Sequence, residues 1–286
     1  MAHDMELNSP LNKIRGIYNS MTAKEKEIGD YILQNPQTII HLSITELAEN
    51  LSVAEATIFR LCKRLGYRGY QDLKIALASE VVKPIEHIHE EITENDEISI
   101  IAQKVFASNV EAIKDTLSLI DNDILEQVVN KLVHARKVDF YGSGGSAIIA
   151  LDAYHKFFRI GLNCNAYSDA HLQVMSASLL TNQDIAIAFS HSGSNKDVID
   201  AIKLAKENGA TTVGITNYLK SPLSKEVDFV LHTSARETLF RTEAMSSRLG
   251  QLSLIDAINI AVSIKLQDKT LNSLKKIREA IAIKRF

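Results

Sequence analysis

The sequence predicts two regions of different fold class: an all-α N-terminal region and an α/β C-terminal region, the latter a three-layer α-β-α sandwich around a parallel sheet of about five strands. Two observations predict this division. Residues 1 to about 80 place apolar side chains at helical spacing and contain no convincing strand. From residue 137 onward, short apolar runs alternate with helical stretches, which is typical of a parallel sheet covered on both faces.

Size and composition limit the number of domains and the classes of protein to be considered. The chain has 286 residues, so two domains are the first expectation, and it is 45% hydrophobic with a net charge of -3. Cys62 and Cys164 lie far apart in apolar runs, which favours reduced thiols over a disulfide or a metal site. Because the sequence shows neither a leader pattern nor an apolar run of membrane-spanning length, we expect a soluble cytoplasmic protein.

Residues 43–66 carry the pattern of two short helices joined by a three-residue turn. Ser43 and Glu46 form a capping-box pattern at the start of the first helix. Leu-Ser-Val at 51–53 interrupts the apolar period, and a second helix is predicted from about 54 to 65, followed by Gly66 as a terminating glycine. This arrangement predicts a helix-turn-helix.

Basic residues are concentrated on and just after the second of these helices. Residues 1–80 hold nine Lys/Arg and ten Asp/Glu, which nearly balance. A helix fits the DNA major groove, and flanking cations meet phosphates, so a local surplus of cations indicates DNA binding. A helical hairpin with a solvated cationic face remains the alternative. The predicted basic stripe consists of Arg60, Lys63, Arg64, Arg68 and Lys74.

Residues 84–97, PIEHIHEEITENDE, are acidic and lack a strong apolar period, so they are interpreted as a linker. His87, His89, Glu90 and Glu91 could suggest a metal site. A solvated connector is favoured, because closed metal sites draw ligands from separate elements. We therefore expect no metal.

Five β-prone runs follow a long helix (98 to about 118) and a shorter one (122–134). The runs are residues 137–141, 163–167, 184–189, 211–216 and 227–231. Three parts are therefore predicted, namely a helix-turn-helix domain, a linker with the long helix, and a sheet domain with C-terminal helices: residues 1–83, 84–120 and 121–286.

Two predicted strands end in loops rich in serine and glycine, YGSGGSA at 141–147 and FSHSGSN at 189–195. Ligands of open parallel sheets bind outside the carboxyl ends of the strands. Helix N-termini there offer N–H groups and a positive dipole end, and serine hydroxyls donate to phosphate or sugar oxygens. The loops therefore predict a site for a phosphate-bearing ligand, although neither contains the lysine of a P-loop.

Other interpretations of these loops stay open. The first loop fits the dinucleotide fingerprint G-x-G-x-x-A, but no acidic residue is placed for a ribose, so NAD is disfavoured and no cofactor is expected. Turn chemistry alone is a second alternative. Catalysis is a third, because candidate acid–base groups exist: His155, His171, His191, Glu237 and Glu243.

The combination of ELAENLSVAEATIFRLCKRLGYRGYQDLK (46–74) with GSGGS and SHSGSNKDVIDAIKLAKENGA (190–210) resembles the RpiR family of bacterial transcription regulators. The second region resembles a SIS (sugar isomerase) domain, and the resemblance covers about residues 10 to 265. It implies a repressor or activator of a sugar-catabolic operon. In such a regulator, a phosphosugar bound to the SIS domain changes the DNA affinity of paired helix-turn-helix domains.

The resemblance also implies residue roles. The phosphate-binding serines would be Ser143, Ser190, Ser192 and Ser194. The residues shaping the loops would be Gly144, Ser146, Gly193 and Asn195. Glu243 would meet sugar hydroxyls. The DNA-facing residues would be Thr57, Arg60 and Lys63, with Arg64 and Arg68 continuing the basic stripe.

Two residues depart from the family pattern. Many relatives have glycine in the turn where this chain has Ser52, and serine or threonine where it has Ala54. Alanine forgoes an N-cap worth roughly 1 kcal/mol. We therefore expect a turn that differs slightly from that of relatives.

Assembly and rival functions complete the expectations. SIS domains associate, so we expect a homodimer or homotetramer that reads a palindromic operator, with coupling carried by the acidic linker and the long helix. The main rival is a sugar-phosphate isomerase or lyase with an added helical domain. A second rival is a sensor that docks a protein partner through residues 43–74.

Overall fold

The fold is taken from a computed structural model, which describes residues 9–81, 92–234 and 245–284. These residues form two compact units, the first reaching Lys104 and the second beginning at Val105. The boundaries predicted at 83 and 120 stay a prediction. Most of the predicted linker lies outside the described residues, and so do the four metal-ligand candidates at positions 87–91.

Between residues 9 and 81 the described chain consists of helices joined by short turns, with a 3-10 turn at Tyr18–Ser20. They are α1 (Pro10–Ile17), α2 (Ala23–Gln34), α3 (Pro36–Ile39), α4 (Ile44–Asn50), α5 (Glu55–Arg64) and α6 (Tyr70–Val81). Apolar residues at helical spacing on each element meet in one core, which includes Ile14, Ile28, Ile32, Leu47, Ile58, Leu61 and Leu73.

The predicted helix-turn-helix pattern has the expected local structure in α4 and α5. Ser43 and Glu46 form the capping box, with Glu46 N–H donating to Ser43 Oγ at 3.1 Å. The glycine after α5 is left-handed, with Gly66 at φ +89°. Ser52 is also left-handed, at φ +50°, and Ala54 occupies the N-cap of α5 without a side-chain hydrogen bond.

The second unit contains the predicted parallel sheet, and the predicted fold class is confirmed. The strands are β1 (Lys137–Gly142), β2 (Cys164–Tyr167), β3 (Asp184–Phe189), β4 (Thr211–Thr216) and β5 (Phe229–His232). The helices are α7 (Ile98–Ser118, within which the unit boundary falls), α8 (Asn122–His134), α9 (Gly145–Arg159), α10 (Ala170–Ala177), α11 (Lys196–Glu207), α12 (Pro222–Glu226), α13 (Met245–Lys265) and α14 (Gln267–Ala282).

All strand pairs are parallel, in the order β2-β1-β3-β4-β5. Alternate strand residues enter two different cores. Phe140 and Ile187 pack with α8, α9 and α13 on one face, whereas Tyr141 and Ala188 pack with α10, α11 and α12 on the other. The sheet is therefore covered on both faces, as continuous apolar strands require.

The last strand begins two residues later than predicted. Asp228 lies outside β5 because its carboxylate accepts hydrogen bonds from the N–H and hydroxyl of Thr212, both at 2.9 Å. The predicted helical stretch from 246 to 286 is two helices, α13 and α14. In the described part of the chain, no single helix is long and apolar enough to span a membrane. Residues 247–265 and 267–282 pass that test only as a pair bent by 107°.

Candidate functional site

The two serine loops meet at the point where the strand order reverses. From β1 the chain passes to β2 on one side, and from β3 it passes to β4 on the other. Gly142 is paired with Phe189, so Ser143 and Ser190 follow directly on neighbouring strands, which lie about 4.8 Å apart. Such a switch point leaves a crevice at the carboxyl edge of the sheet, where ligands of open α/β sheets bind.

The first loop turns sharply from β1 into α9. A Cβ added to Gly142 would lie 2.6 Å from the carbonyl oxygen of Ser146, so only glycine lets the helix approach the strand this closely. Gly144 is left-handed, at φ +55°, and provides no side-chain cap to α9. Ser146 N–H donates to the carbonyl of Ser143 at 3.1 Å, which closes the turn.

This turn leaves backbone donors open. The N–H groups of Gly144 and Gly145 donate to no group among the described residues, and the hydroxyls of Ser143 and Ser146 likewise have no partner there. Gly144 and Gly145 are exposed, and both serines are half-buried. The loop can therefore donate several hydrogen bonds to an anion at the start of α9.

The second loop is fixed against the end of β4. Gly193 N–H donates to the Ser190 carbonyl at 3.0 Å, and Leu223 N–H donates to the Gly193 carbonyl at 2.9 Å. Gly193 has φ +62°, and a Cβ there would lie 2.2 Å from Ser221 Oγ and 2.9 Å from Thr216 Oγ1. Glycine at 193 is thus required by both conformation and space.

The remaining polar groups of the second loop divide into two kinds. Asn195 is used structurally, because its Oδ1 accepts from Val198 N–H at 3.0 Å and caps α11. Ser192 and Ser194 contact each other, with Ser194 Oγ donating to the Ser192 carbonyl at 3.2 Å. Ser194 is exposed and Ser192 half-buried, so both hydroxyls can reach a ligand.

The acid–base candidates are spread over the unit. His191 lies in the second loop, with its ring edge-on to Tyr218 at a centroid distance of 6.0 Å. His171 and His155 are exposed on α10 and α9, and His155 lies ten residues along α9 from its first residue. Of the described candidates, only His191 belongs to the serine loops. Glu237 and Glu243 lie outside the described residues, so the predicted contact of Glu243 with sugar hydroxyls stays a prediction.

A histidine that the sequence reasoning missed, His232, ends β5, the outer strand next to β4. Burial lowers the pKa of His232 below its ordinary value, against a smaller opposing effect of a backbone hydrogen bond with Thr216. The imidazole is therefore neutral at pH 7 and adds no charge at this edge of the sheet.

Arg248, in the first turn of α13, was also missed. Its Cζ, Nε and Nη2 atoms each lie 3.7 Å from the position of a Cβ on Gly145, so the guanidinium lies beside the first loop. A basic residue in RTEAMSSR was visible in the sequence. Nothing in its spacing indicated that α13 would bring it to the end of β1.

Three predicted DNA contacts share one face of α5. Arg60 and Lys63 are exposed, and Thr57 is half-exposed one turn before Arg60. The Arg60 guanidinium donates to the Ala56 carbonyl at 3.2 Å, and Lys63 Nζ lies 5.6 Å from the centre of the Phe59 ring. These contacts hold both cations along the helix.

Other members of the predicted basic stripe have intramolecular partners. The Arg64 guanidinium donates to Glu25 at 2.8 Å and to Ser20 at 2.7 and 2.9 Å, while Arg68 stays 91% exposed in side-chain area. Lys74 was wrongly counted as part of the surface stripe. It is buried, and its ammonium donates to the Leu42 carbonyl at 3.0 Å. Contacts of Arg64 and Arg68 with DNA stay predictions.

Comparisons with known proteins agree with both halves of this description. Residues 8–84 match the family described as "Helix-turn-helix domain, rpiR family", and residues 131–261 match the SIS domain. An uncharacterized HTH-type transcriptional regulator of Caldanaerobacter subterraneus subsp. tengcongensis is 38% identical over 273 residues, which cover 96% of this chain and 97% of that protein. The HTH-type transcriptional regulator RpiR of Escherichia coli K12 is 35% identical over 261 residues, 89% of this chain and 86% of that protein.

A solved structure extends the likeness to three dimensions. The Vibrio vulnificus NanR protein, complexed with ManNAc-6P, matches with a TM-score of 0.80 and 29% identity, over 96% of this chain and 99% of that chain. The resemblance predicted from the helix-turn-helix and the serine loops is confirmed. The chain belongs to the RpiR family of HTH-type transcriptional regulators and carries a SIS domain.

Proposed function

We propose that this regulator binds operator DNA through α4 and α5 and is switched by a phosphosugar bound in the crevice between β1 and β3. The genes it controls would serve sugar catabolism, and the protein would work in the cytoplasm. The observation that carries the proposal is the meeting of two serine loops at the switch point, where the N–H groups of Gly144 and Gly145 have no partner among the described residues. The complex of NanR with ManNAc-6P makes an amino-sugar phosphate the first ligand to try.

Phosphate would bind at the start of α9. The N–H groups of Gly144 and Gly145 and the hydroxyls of Ser143, Ser146, Ser192 and Ser194 would donate hydrogen bonds to its oxygens. The sugar would extend along the crevice toward the end of β4 and β5. Glu243 is proposed to accept hydrogen bonds from the sugar hydroxyls there.

DNA recognition would rest on the exposed face of α5. Its amino-terminal residues would reach base edges while Arg60, Lys63 and Arg68 contact phosphates. Because Arg64 is bonded to Glu25 and Ser20, its proposed contribution to DNA affinity is smaller than that of Arg60 or Lys63.

A second copy of the chain would complete the regulator. One face of α9 exposes Ile148, Leu151 and Phe158, each more than half exposed; Met175 on α10 and Leu179 just after that helix are also exposed. The row of apolar side chains on α9 is typical of an association surface. A homodimer or homotetramer would present two copies of α5 to a palindromic operator.

The test is DNA binding with and without ligand. Fluorescence anisotropy with DNA from upstream of the chain's own gene should show salt-sensitive binding that is lost in Arg60→Ala/Lys63→Ala. A panel of phosphosugars, ManNAc-6P included, should contain one that changes this affinity. The panel compound should have no effect on DNA binding by Ser192→Ala/Ser194→Ala, while that variant binds DNA normally without ligand.

Two results would reject the proposal. Failure of the chain to bind DNA in any ligand state would favour a sensor of protein partners. Turnover of the bound phosphosugar, abolished by Glu243→Gln, would favour an isomerase or lyase over the non-catalytic regulator proposed.

Replacing 84–97 and α7 with a flexible linker should abolish the ligand response and keep DNA binding, since this segment is proposed to carry the coupling.

A further inference from the structure

The serine loops contribute no unpaired cation to the ligand they are proposed to bind. Their one basic residue near a helix start is Lys196, whose side chain is 86% exposed and whose ammonium lies 2.6 Å from Asp200 Oδ2. His232 is held neutral by burial. A phosphate dianion taken partly out of water is stabilised more by a cation than by neutral donors alone.

Arg248 is placed beside these loops by the packing of two helices. The Arg248 guanidinium contacts the Gly145 position at the start of α9, and farther along the same helices Lys156 Nζ lies 2.6 Å from Asp256 Oδ1. The amino ends of α9 and α13 therefore lie together at the carboxyl edge of the sheet. Leu254 and Ile255 are buried in the core beneath α13, which anchors its first turns.

The Arg248 guanidinium has no acceptor in the described part of the chain. It makes no hydrogen bond or ion pair there, although the residue is half-buried. The flanking Ser247 Oγ and Gln251 Nε2 are buried, and neither has a partner among the described residues. Two buried polar groups thus lack the partners that buried groups normally have, and the half-buried guanidinium beside them lacks an acceptor.

We propose that Arg248 binds the phosphate of the effector from the α13 side, opposite the serine hydroxyls. This inference rests on the proposed function and assigns the positive charge that the loops lack. The planar guanidinium can donate two parallel hydrogen bonds to phosphate oxygens, a geometry that neither serine nor lysine provides. The SIS domain would then select anionic sugars over the corresponding neutral sugars.

Calorimetric titration of the full chain tests this assignment, with inorganic phosphate and ManNAc-6P as the probes. Arg248→Gln should weaken binding of either probe by about 10-fold to 100-fold, as expected for loss of a charge-assisted hydrogen bond. Arg159→Gln is the matched control, because it removes the same charge at the exposed far end of α9. The affinity of Arg248→Lys for either probe should lie between the affinities of Arg248→Gln and Arg159→Gln.

Protection from chemical modification gives a second readout that needs no variant. Phenylglyoxal labels accessible arginines, and peptide mass spectrometry should show that ManNAc-6P slows labelling of Arg248 but not of Arg159. This measurement decides the question if Arg248→Gln does not fold.

The outcomes separate the two proposals. Tight binding by wild type that changes less than twofold in folded Arg248→Gln, or labelling of Arg248 unaffected by bound ligand, overturns the role of Arg248 alone. Absence of binding of both probes and of the whole phosphosugar panel by wild type overturns the proposed function, and this inference with it.

Discussion

Two tight turns in the molecule solve the same backbone problem differently. The turn between α4 and α5 places Ser52 at φ +50°, and the loop between β3 and α11 places Gly193 at φ +62°. Ser52 is exposed, whereas Gly193 is buried with Ser221 and Thr216 in the space of its missing side chain. In an open turn, a residue other than glycine can therefore adopt a positive φ at some cost in conformational energy. Where neighbouring atoms fill the space of a side chain, the residue must be glycine.

The difference follows from what each turn does. The turn between α4 and α5 only has to orient two helices. The loop after β3 must also hold serine hydroxyls at the proposed phosphate site while packing on α12. Substitutions at left-handed positions in both units measure the conformational cost and the crowding cost separately.

The largest effect is expected for Gly193→Ala. The added Cβ would lie 2.2 Å from Ser221 Oγ, so the variant should lose about 3 kcal/mol of unfolding free energy and most of its phosphosugar affinity. Denaturant unfolding of the second unit and calorimetric titration check this. In the double variant with Ser221→Gly, the losses should be less than additive; strict additivity would mean that crowding is not the cause.

Gly66→Ala should have a smaller effect. Gly66 has φ +89° but no atom within 4 Å of its Cβ position, so only the conformational cost of about 1–2 kcal/mol applies. Hydrogen exchange of peptides from α5 and α6 in the full chain measures the loss. A Gly66→Ala loss equal to that of Gly193→Ala would remove the distinction between open and crowded turns.

Ala54→Ser should stabilise the first unit by about 1 kcal/mol, because Ala54 already has extended backbone, at φ -75° and ψ 140°, and lacks only the side-chain acceptor. Slower hydrogen exchange in α5 is the readout. No change would show that the start of α5 already has its hydrogen-bonding needs met.

The smallest gain is expected for Ser52→Gly. Glycine removes the backbone strain of about 1 kcal/mol that Ser52 has at positive φ. It also increases the conformational entropy of the unfolded chain, which destabilises the folded state by a similar amount. The net stabilisation is therefore about 0.5 kcal/mol at most. The melting temperature of the first unit should rise slightly. A clear decrease would mean that the Ser52 side chain makes a favourable contribution that its exposure does not reveal.

The sequence predicted those features that depend on local pattern. Apolar runs located all five strands, and Ser43 with Glu46 located the start of α4, because periodicity and capping are properties of neighbouring residues. The strand order could not be predicted from the sequence. The side on which each crossover connection lies depends on the packing of helices that are distant in the chain. That order is what makes the serine loops converge at a switch point.

Charge was the least predictable property of either proposed site. Lys74 and Arg64 look like surface cations in the sequence, yet both reach carbonyl oxygens of distant residues, Leu42 and Ser20. Arg248 is the opposite case, a cation that tertiary packing brings to a proposed site. It lies beside Gly145, which is about 100 residues away in the sequence. Long side chains choose partners by tertiary proximity, which residue spacing does not encode.

The most direct test of the central claim is a crystal structure of the full chain grown with the phosphosugar that alters its DNA affinity. We predict that the phosphate lies between the N–H groups of Gly144 and Gly145 and the hydroxyls of Ser192 and Ser194. A phosphosugar bound elsewhere, with this crevice filled by the protein's own atoms, would contradict the account.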